Sequence, residues 1–114
     1  MKLSNVLMAC VTLLMTGCAS MEAPKDAQGW ISEGRVINIA LANAARDNLK
    51  AGVMTVDEAN AVATKVREFS VKLDQAQQLL DTGFASESID KARLVHSLIT
   101  TLHKEIAQKA RESK

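Results

Sequence analysis

The chain has 114 residues, of which 47% are hydrophobic, 24% are charged and only 3% are aromatic, and its formal net charge is +1. This length suits one compact domain and not two. The balance of mixed charges argues against electrostatic binding of nucleic acid, and the scarcity of aromatic side chains argues against platforms on which bases or sugars stack. A composition rich in alanine, valine, leucine and isoleucine, with one proline, is typical of an all-helical protein.

The first residues have the pattern of a leader. Lys2 precedes a mainly apolar run at residues 6–15, which as a helix would rise about 15 Å and is too short to cross a bilayer. A basic start, a short apolar core and small residues at the end predict a secretory signal peptide over residues 1–17. An ordinary N-terminal core helix is the alternative, but it would show a polar face, which this run lacks.

The leader ends in Met15-Thr16-Gly17-Cys18, which resembles the lipobox of bacterial lipoproteins. The resemblance implies that a dedicated peptidase, with Met15, Thr16 and Gly17 in its groove, cuts before Cys18. It also implies that the thiol of Cys18 carries a diacylglycerol through a thioether, and that its new amino group is acylated by a fatty acid such as palmitate. The family most often has leucine where this chain has Met15, and this leader has a single lysine.

The predicted lipids would hold the protein firmly at a membrane, because two signals are enough for stable anchoring where one myristoyl-sized chain is marginal. In many diderm bacteria, as the resemblance implies, an aspartate after the cysteine retains a lipoprotein in the inner membrane. Here Ala19 and Ser20 follow. We therefore expect the inner leaflet of the outer membrane, facing the periplasm.

Two other interpretations of the leader stay open. Gly17-Cys18-Ala19 also suits the general signal peptidase, which would cut after Ala19 and release a soluble periplasmic module or an enzyme with an unrecognised site. A structural disulfide is the second, but the only partner for Cys18 is Cys10, which lies in the predicted leader.

After the leader, residues 18–28 show no apolar period and predict the lipidated cysteine followed by a short tether. Residues 29–114 are predicted to form the folded domain, with a first helix that starts at about Ala27 and is closed by Gly52. Gly34 either weakens the first half of this helix or lets a neighbouring helix approach closely. The apolar residues of the helix recur at steps of three and four: Trp30, Ile37, Leu41, Ala44, Ala45 and Leu49.

A capping box, Thr55-Val56-Asp57-Glu58, predicts the start of a second helix that ends at Gly83. Its apolar positions follow a regular heptad-like seam: Ala59, Val62, Val66, Phe69, Leu73, Ala76 and Leu80. The regularity of this seam leaves pairing with a second copy, a homo-oligomer, as an alternative to a monomeric fold.

The third helix is predicted to start at Ser86 as N-cap and to run to about Arg111. Its apolar stripe consists of Ile89, Ala92, Val95, Ile99, Leu102 and Ile106, widened by Leu98 and Ala110. Short turns place consecutive helices antiparallel, so the sequence predicts an all-α, up-down-up three-helix bundle.

The sequence offers little chemistry for catalysis. His96 and His103 lie seven residues apart on one helix, about 10.5 Å along its axis, which is too far for one metal ion. The acidic pairs Asp57 with Glu58 and Glu87 with Asp90 fall in first helical turns, where the helix dipole accounts for them. We expect no catalytic residue, no metal site and no cofactor.

Two aromatic residues are the candidate contact sites. Trp30 follows the tether and is interpreted either as a contact with membrane or partner, or as a residue that packs at the bundle end. Phe84 and the pair Val53 and Met54 lie in the inter-helix turns, where they either plug the ends of the bundle or form a small binding patch.

The stretch from Gly52 to Ala59, followed by the heptad helix and Gly83, is similar in style to small helical lipoproteins of bacteriophages and prophages. That resemblance implies a role at the cell envelope, such as lysis support or exclusion of other phages. The leading hypothesis is a membrane-anchored envelope lipoprotein whose non-catalytic helical domain binds an unidentified envelope protein or acts as a structural spacer.

Overall fold

The computed structural model describes residues 26–112, so the predicted leader, the lipobox-like residues and most of the predicted tether lie outside the described residues. Within this range, regular structure consists of three helices, α1 (Ala27–Lys50), α2 (Val56–Asp81) and α3 (Ala85–Glu112), each packed against the other two. The connections at residues 51–55 and 82–84 are short, and neighbouring helices run antiparallel. The predicted all-α, up-down-up three-helix bundle is confirmed.

Helix α1 starts at Ala27, as predicted, and so overlaps the last two residues that were assigned to the tether. The side chain of Asp26 accepts a hydrogen bond from the backbone N–H of Gly29 at 2.7 Å, which caps the helix. Ala27 and Gln28, which the sequence assigned to the tether, form the first turn, and Ala27 is buried. The first half of α1 is therefore continuous helix.

The predicted capping box at the start of α2 is confirmed. The hydroxyl of Thr55 accepts from the backbone N–H of Glu58 at 3.1 Å, and the Glu58 carboxylate accepts from the N–H of Thr55 at 3.0 Å. Each bond satisfies an N–H that the helix itself leaves without a partner.

Both α1 and α2 end at the predicted glycines, through the same backbone motif. Gly52 and Gly83 have φ of 76° and 92°, the left-handed region in which a Cβ is unfavourable. At the end of α2, the N–H of Phe84 donates to the carbonyl of Leu79 at 2.8 Å, and the residues after α1 form the equivalent bond. These are Schellman closures, which satisfy carbonyls in the last turn.

The predicted start of α3 is wrong by a short distance. The helix begins at Ala85, and the carbonyl of Phe84 already accepts from the N–H of Ser88 at 2.9 Å. Because the Schellman closure of α2 brings the chain to the start of α3 within three residues, Ser86 lies inside the first turn and not at its cap.

The seam of α2 lies in the core of a single chain. Its buried members are Val62, Phe69, Leu73 and Ala76, and its half-buried members packed at the core are Ala59, Val66 and Leu80. Helices α1 and α3 complete the core with Ile31, Leu41, Ala45, Ala92, Val95, Ile99 and Ile106. Two predicted stripe residues lie at the surface, since Leu98 is 42% and Leu49 is 36% exposed. Ile31, which is fully buried, was missing from the predicted stripe.

Gly34 lies where α1 and α2 approach closely. It is buried, and a Cβ placed on it would stand 2.9 Å from Cδ2 of Leu73, which is itself fully buried. Of the two interpretations of Gly34, close approach of a neighbouring helix is the one that the structure supports.

Each pair of helices is joined by one hydrogen bond from a buried or half-buried side chain to a backbone carbonyl. The bonds are Asn38 Nδ2 to Val66 O at 3.0 Å, Asn48 Nδ2 to Ile106 O at 3.2 Å and Ser88 Oγ to Ala76 O at 2.7 Å. The Oδ1 atom of Asn38 is buried without a hydrogen-bond partner in the part of the chain that the structure describes.

We expect Phe69→Ala to lower the free energy of unfolding by about 3–5 kcal/mol, because it removes a buried aromatic ring and leaves a cavity. Val71→Ala, on the same helix but exposed, is the matched control and should change stability by less than about 0.5 kcal/mol. Thermal and urea unfolding followed by circular dichroism measure both. An unchanged melting temperature for Phe69→Ala would contradict the assignment of the core.

Gly34→Leu should destabilise the bundle by about 1–3 kcal/mol, because the new side chain must enter space that Leu73 fills. Ala40→Leu, an exposed position of the same helix, controls for helix propensity and should be nearly neutral. Adding Leu73→Ala to Gly34→Leu should cost less than the sum of the two single changes, as measured by a double-mutant cycle in urea. Strict additivity would show that the two positions are not in contact.

Candidate functional site

The topology gives the bundle two different ends. We call the end with the first turn of α1, the last turn of α2 and residues 82–84 the Trp30 end. The opposite end, with residues 51–55, is the Met54 end. The two candidate contact residues, Trp30 and Phe84, therefore lie at the same end, which is also the end where the first helix begins.

Trp30 is half-buried and held by neighbours on α3. Its ring meets the ring of His96 edge-on, with centroids 5.1 Å apart and planes at 90°, and the guanidinium carbon of Arg93 lies 5.6 Å from the ring centroid. Nε2 of His96 in turn lies 3.2 Å from a carboxylate oxygen of Glu33, one turn after Trp30 on α1. Trp30 also packs against the buried cluster of Ile31, Ala76 and Ala92. It therefore packs at the bundle end, while contact with a membrane or partner stays a prediction.

The apolar residues of the two inter-helix turns differ in burial. Met54 is buried and plugs its end of the bundle, as expected. Phe84 is 53% exposed and does not plug the other end, although its backbone N–H takes part in the Schellman closure of α2. It borders a shallow cavity of about 330 Å³ that Leu79 and Lys91 also line.

One polar side-chain pair on the surface spans each pair of helices. Arg35 and Asp74 form an ion pair between α1 and α2 at 2.9 Å, and Glu58 and Lys109 form one between α2 and α3. Between α1 and α3, Nε2 of His96 lies within hydrogen-bond distance of Glu33, at 3.2 Å. All six side chains are partly exposed, so each pair contributes roughly 0–1 kcal/mol to stability.

Metal ligands do not gather in the described part of the chain. His96 is engaged with Glu33, and His103 lies two turns further along α3. Within residues 26–112, no group of three His, Cys, Asp or Glu side chains is placed to hold a metal ion.

None of the helices in residues 26–112 combines the length and the apolar character needed to cross a bilayer.

The largest of the described cavities is an open groove between α1 and α2 that sequence reasoning missed. We call it the α1–α2 groove; it has a volume of about 370 Å³. Its apolar lining consists of Ala42, Ala45, Leu49, Ala59, Val62, Ala63 and Val66. Two arginines, Arg46 on α1 and Arg67 on α2, complete the lining. The alanines on both helices were the available signal, because small side chains facing one another leave a gap.

A second cavity, between α2 and α3 at the Met54 end, has a volume of about 250 Å³. Its lining includes Met54, Leu102 and Ile106. Here the ion pair between Glu58 and Lys109 joins the two helices across the lining itself. The two cavities are alike in apolar character and differ in that this one has an ion pair, Glu58 with Lys109, in its lining.

Comparison with protein-family models, with curated proteins and with solved structures finds no match to this chain.

The two candidate contact residues should differ in their effect on stability. Trp30→Ala should cost about 1–3 kcal/mol, because a half-buried ring and its contacts with His96 are lost. Phe84→Ala should lie within about 0.5 kcal/mol of the parent, because most of its ring is already in water. Urea unfolding followed by circular dichroism compares them. Equal losses at both positions would mean that Phe84 is a packing residue.

Proposed function

We propose that this chain is an envelope lipoprotein, anchored to a membrane through lipid on Cys18, whose helical bundle has no catalytic role and binds another protein or acts as a spacer. The observation that carries the proposal is the sequence Met15-Thr16-Gly17-Cys18 at the end of a short apolar leader. Ala19 after the cysteine favours the outer membrane, with the bundle in the periplasm.

The position of the first helix supports this arrangement. Asp26 caps α1 and lies eight residues after Cys18, so the intervening chain can span at most roughly 26–29 Å. An anchored bundle would thus stay close to its membrane, with the Trp30 end nearest to the lipid along the chain. Trp30 and Phe84 would lie on the membrane side, and the Met54 end would point away from it.

The surfaces of the bundle favour binding over catalysis. Enzyme sites bring several polar groups together in a pocket, often with a nucleophile beside a base. The cavities between the helices here are lined mainly by alanine, valine, leucine and isoleucine, and the histidine that has a polar partner, His96, pairs with Glu33 on a helix surface. Apolar grooves with a few charges at the margin are suited to contacts with other proteins.

Metabolic labelling with a palmitate analogue tests the anchor. The parent protein should take up label and sediment with the membrane fraction, whereas Cys18→Ala should take up none and keep the mass of the uncleaved precursor. Cys10→Ala is the matched control, because this cysteine lies in the predicted leader, and it should behave as the parent does. Separation of inner and outer membranes then checks the placement.

An unlabelled mature protein, with Cys18→Ala unchanged in location, would contradict the anchor. Recovery of the processed chain in the soluble periplasmic fraction, cut after Ala19, would favour the general signal peptidase and a released module instead.

A further inference from the structure

The α1–α2 groove is an apolar depression at the boundary between two helices of the bundle. The ion pair that joins its two helices, Arg35 with Asp74, lies towards the Trp30 end, beyond the residues that line the groove. In the half of the bundle towards the Met54 end, alanines of α1 and α2 face each other and leave the apolar floor open to solvent.

Exposed apolar residues extend the groove along both of its helices. Ile39 lies three residues before Ala42 on α1, and Val56 lies three residues before Ala59 on α2. Residues at this spacing are neighbours on a helix surface. Ile39 is 63% and Val56 is 62% exposed, so the apolar surface continues beyond the groove at both of its ends.

Helix α1 carries no charged residue between Arg35 and Arg46, on any of its faces. A helix that is hydrophobic all round is usually buried, and this stretch comes close to that pattern, with Asn38 and Asn43 as its polar residues. Within the bundle, however, this stretch is covered only on the sides that face α2 and α3, and Val36 and Ile39 stay exposed. The pattern indicates that a further element covers α1 beside the groove.

The charged residues beside the groove indicate which charge the covering element should have. Arg46 and Arg67 form no ion pair within residues 26–112, and no acidic residue lines the groove. The bond between Asn38 and Val66 sets these residues level on antiparallel helices, so Arg46 and Arg67 lie nine residue rises, roughly 13–14 Å, apart along the groove. Carboxylates two turns apart on a helix are about 11 Å apart, which is close to that spacing.

A second copy of this chain does not fit the groove well. A two-fold pairing brings the same surface of both copies together, so Arg46 and Arg67 of one copy would meet the same arginines of the other. Like charges that face each other across an interface cost free energy and reject such a partner.

We propose that the α1–α2 groove binds an amphipathic helix of another protein, whose apolar face lies on the alanine floor and whose carboxylates, two turns apart, pair with Arg46 and Arg67. The bound helix completes a four-helix arrangement with α1, α2 and α3. This inference rests on the protein-binding part of the proposed function and is independent of the lipid on Cys18.

Two synthetic helical peptides with the same apolar face test the proposal on the full-length protein in detergent. One carries glutamates seven residues apart at the flanks of its apolar face, and the other carries lysines there. Fluorescence anisotropy should show the acidic peptide binding at least tenfold more tightly. Arg46→Glu and Arg67→Glu should each weaken it several-fold, and the double variant should prefer the lysine peptide. Lys104→Glu, the same charge change at an exposed position of α3, should leave binding unchanged.

Ala63→Trp adds a steric test. A large ring at this lining position fills the groove and should abolish binding. An unchanged circular dichroism spectrum and melting temperature would show that the bundle is still folded. Equal affinity for both peptides, no binding of either, or binding unaffected by the groove variants would overturn the proposal. So would a concentration-dependent dimer in sedimentation that weakens with Arg46→Glu, since a second copy would then occupy the groove.

The same titration with full-length Cys18→Ala separates this inference from the proposed anchor. Selective binding of the acidic peptide together with a failed lipid-labelling experiment would remove the anchor and leave the groove. Successful labelling without selective binding would contradict the proposal for the groove and support the proposed anchor.

Discussion

The structure depends on three hydrogen bonds that fix how far each helix is shifted along its neighbours. In each bond a side chain donates to a backbone carbonyl of another helix: Asn38 to Val66, Asn48 to Ile106 and Ser88 to Ala76. The hydrophobic effect is non-directional, so the apolar stripes would keep much of their buried contact area if one helix moved by one turn along its neighbour. Such a shift would leave three buried or half-buried polar groups without partners, at about 1–3 kcal/mol each. The polar bonds therefore select one register among several that apolar packing would allow.

That register also decides where the surface features lie. It brings Gly34 against Leu73, so α1 and α2 approach closely towards the Trp30 end. Further along the same two helices it sets alanine against alanine, and the groove with Arg46 and Arg67 remains. On the other side of α1 it places Trp30 on His96. An anchored bundle built in this way would keep its aromatic end near the membrane and its open groove along the side, within reach of another protein.

Features encoded by a few neighbouring residues were predicted from the sequence. The capping box of Thr55 and Glu58 and the closures at Gly52 and Gly83 each depend on contacts within about six residues. The third cap was wrong because its position is set by how α2 closes, not by the hydroxyl of Ser86. The exposure of Leu98 was not predicted, because the spacing of apolar residues shows which face of α3 is buried but not how wide the buried face is. That width depends on where the neighbouring helices lie. Among the features of the candidate site, Trp30 and Phe84 were predicted from the sequence, but the α1–α2 groove was not.

The sequence by itself determined the three helices, their approximate ends and the seam of α2, because periodicity and caps are local. Only the tertiary structure decided that Asn38 and Ser88, polar residues that a helical pattern assigns to solvent, are buried and bonded across helices. It also decided that Gly34 serves close packing and that two arginines flank an apolar groove. These features depend on the rotation and axial shift of one helix against another, which joins residues 28 positions apart in the case of Asn38 and Val66. No pattern within a single helix contains that information.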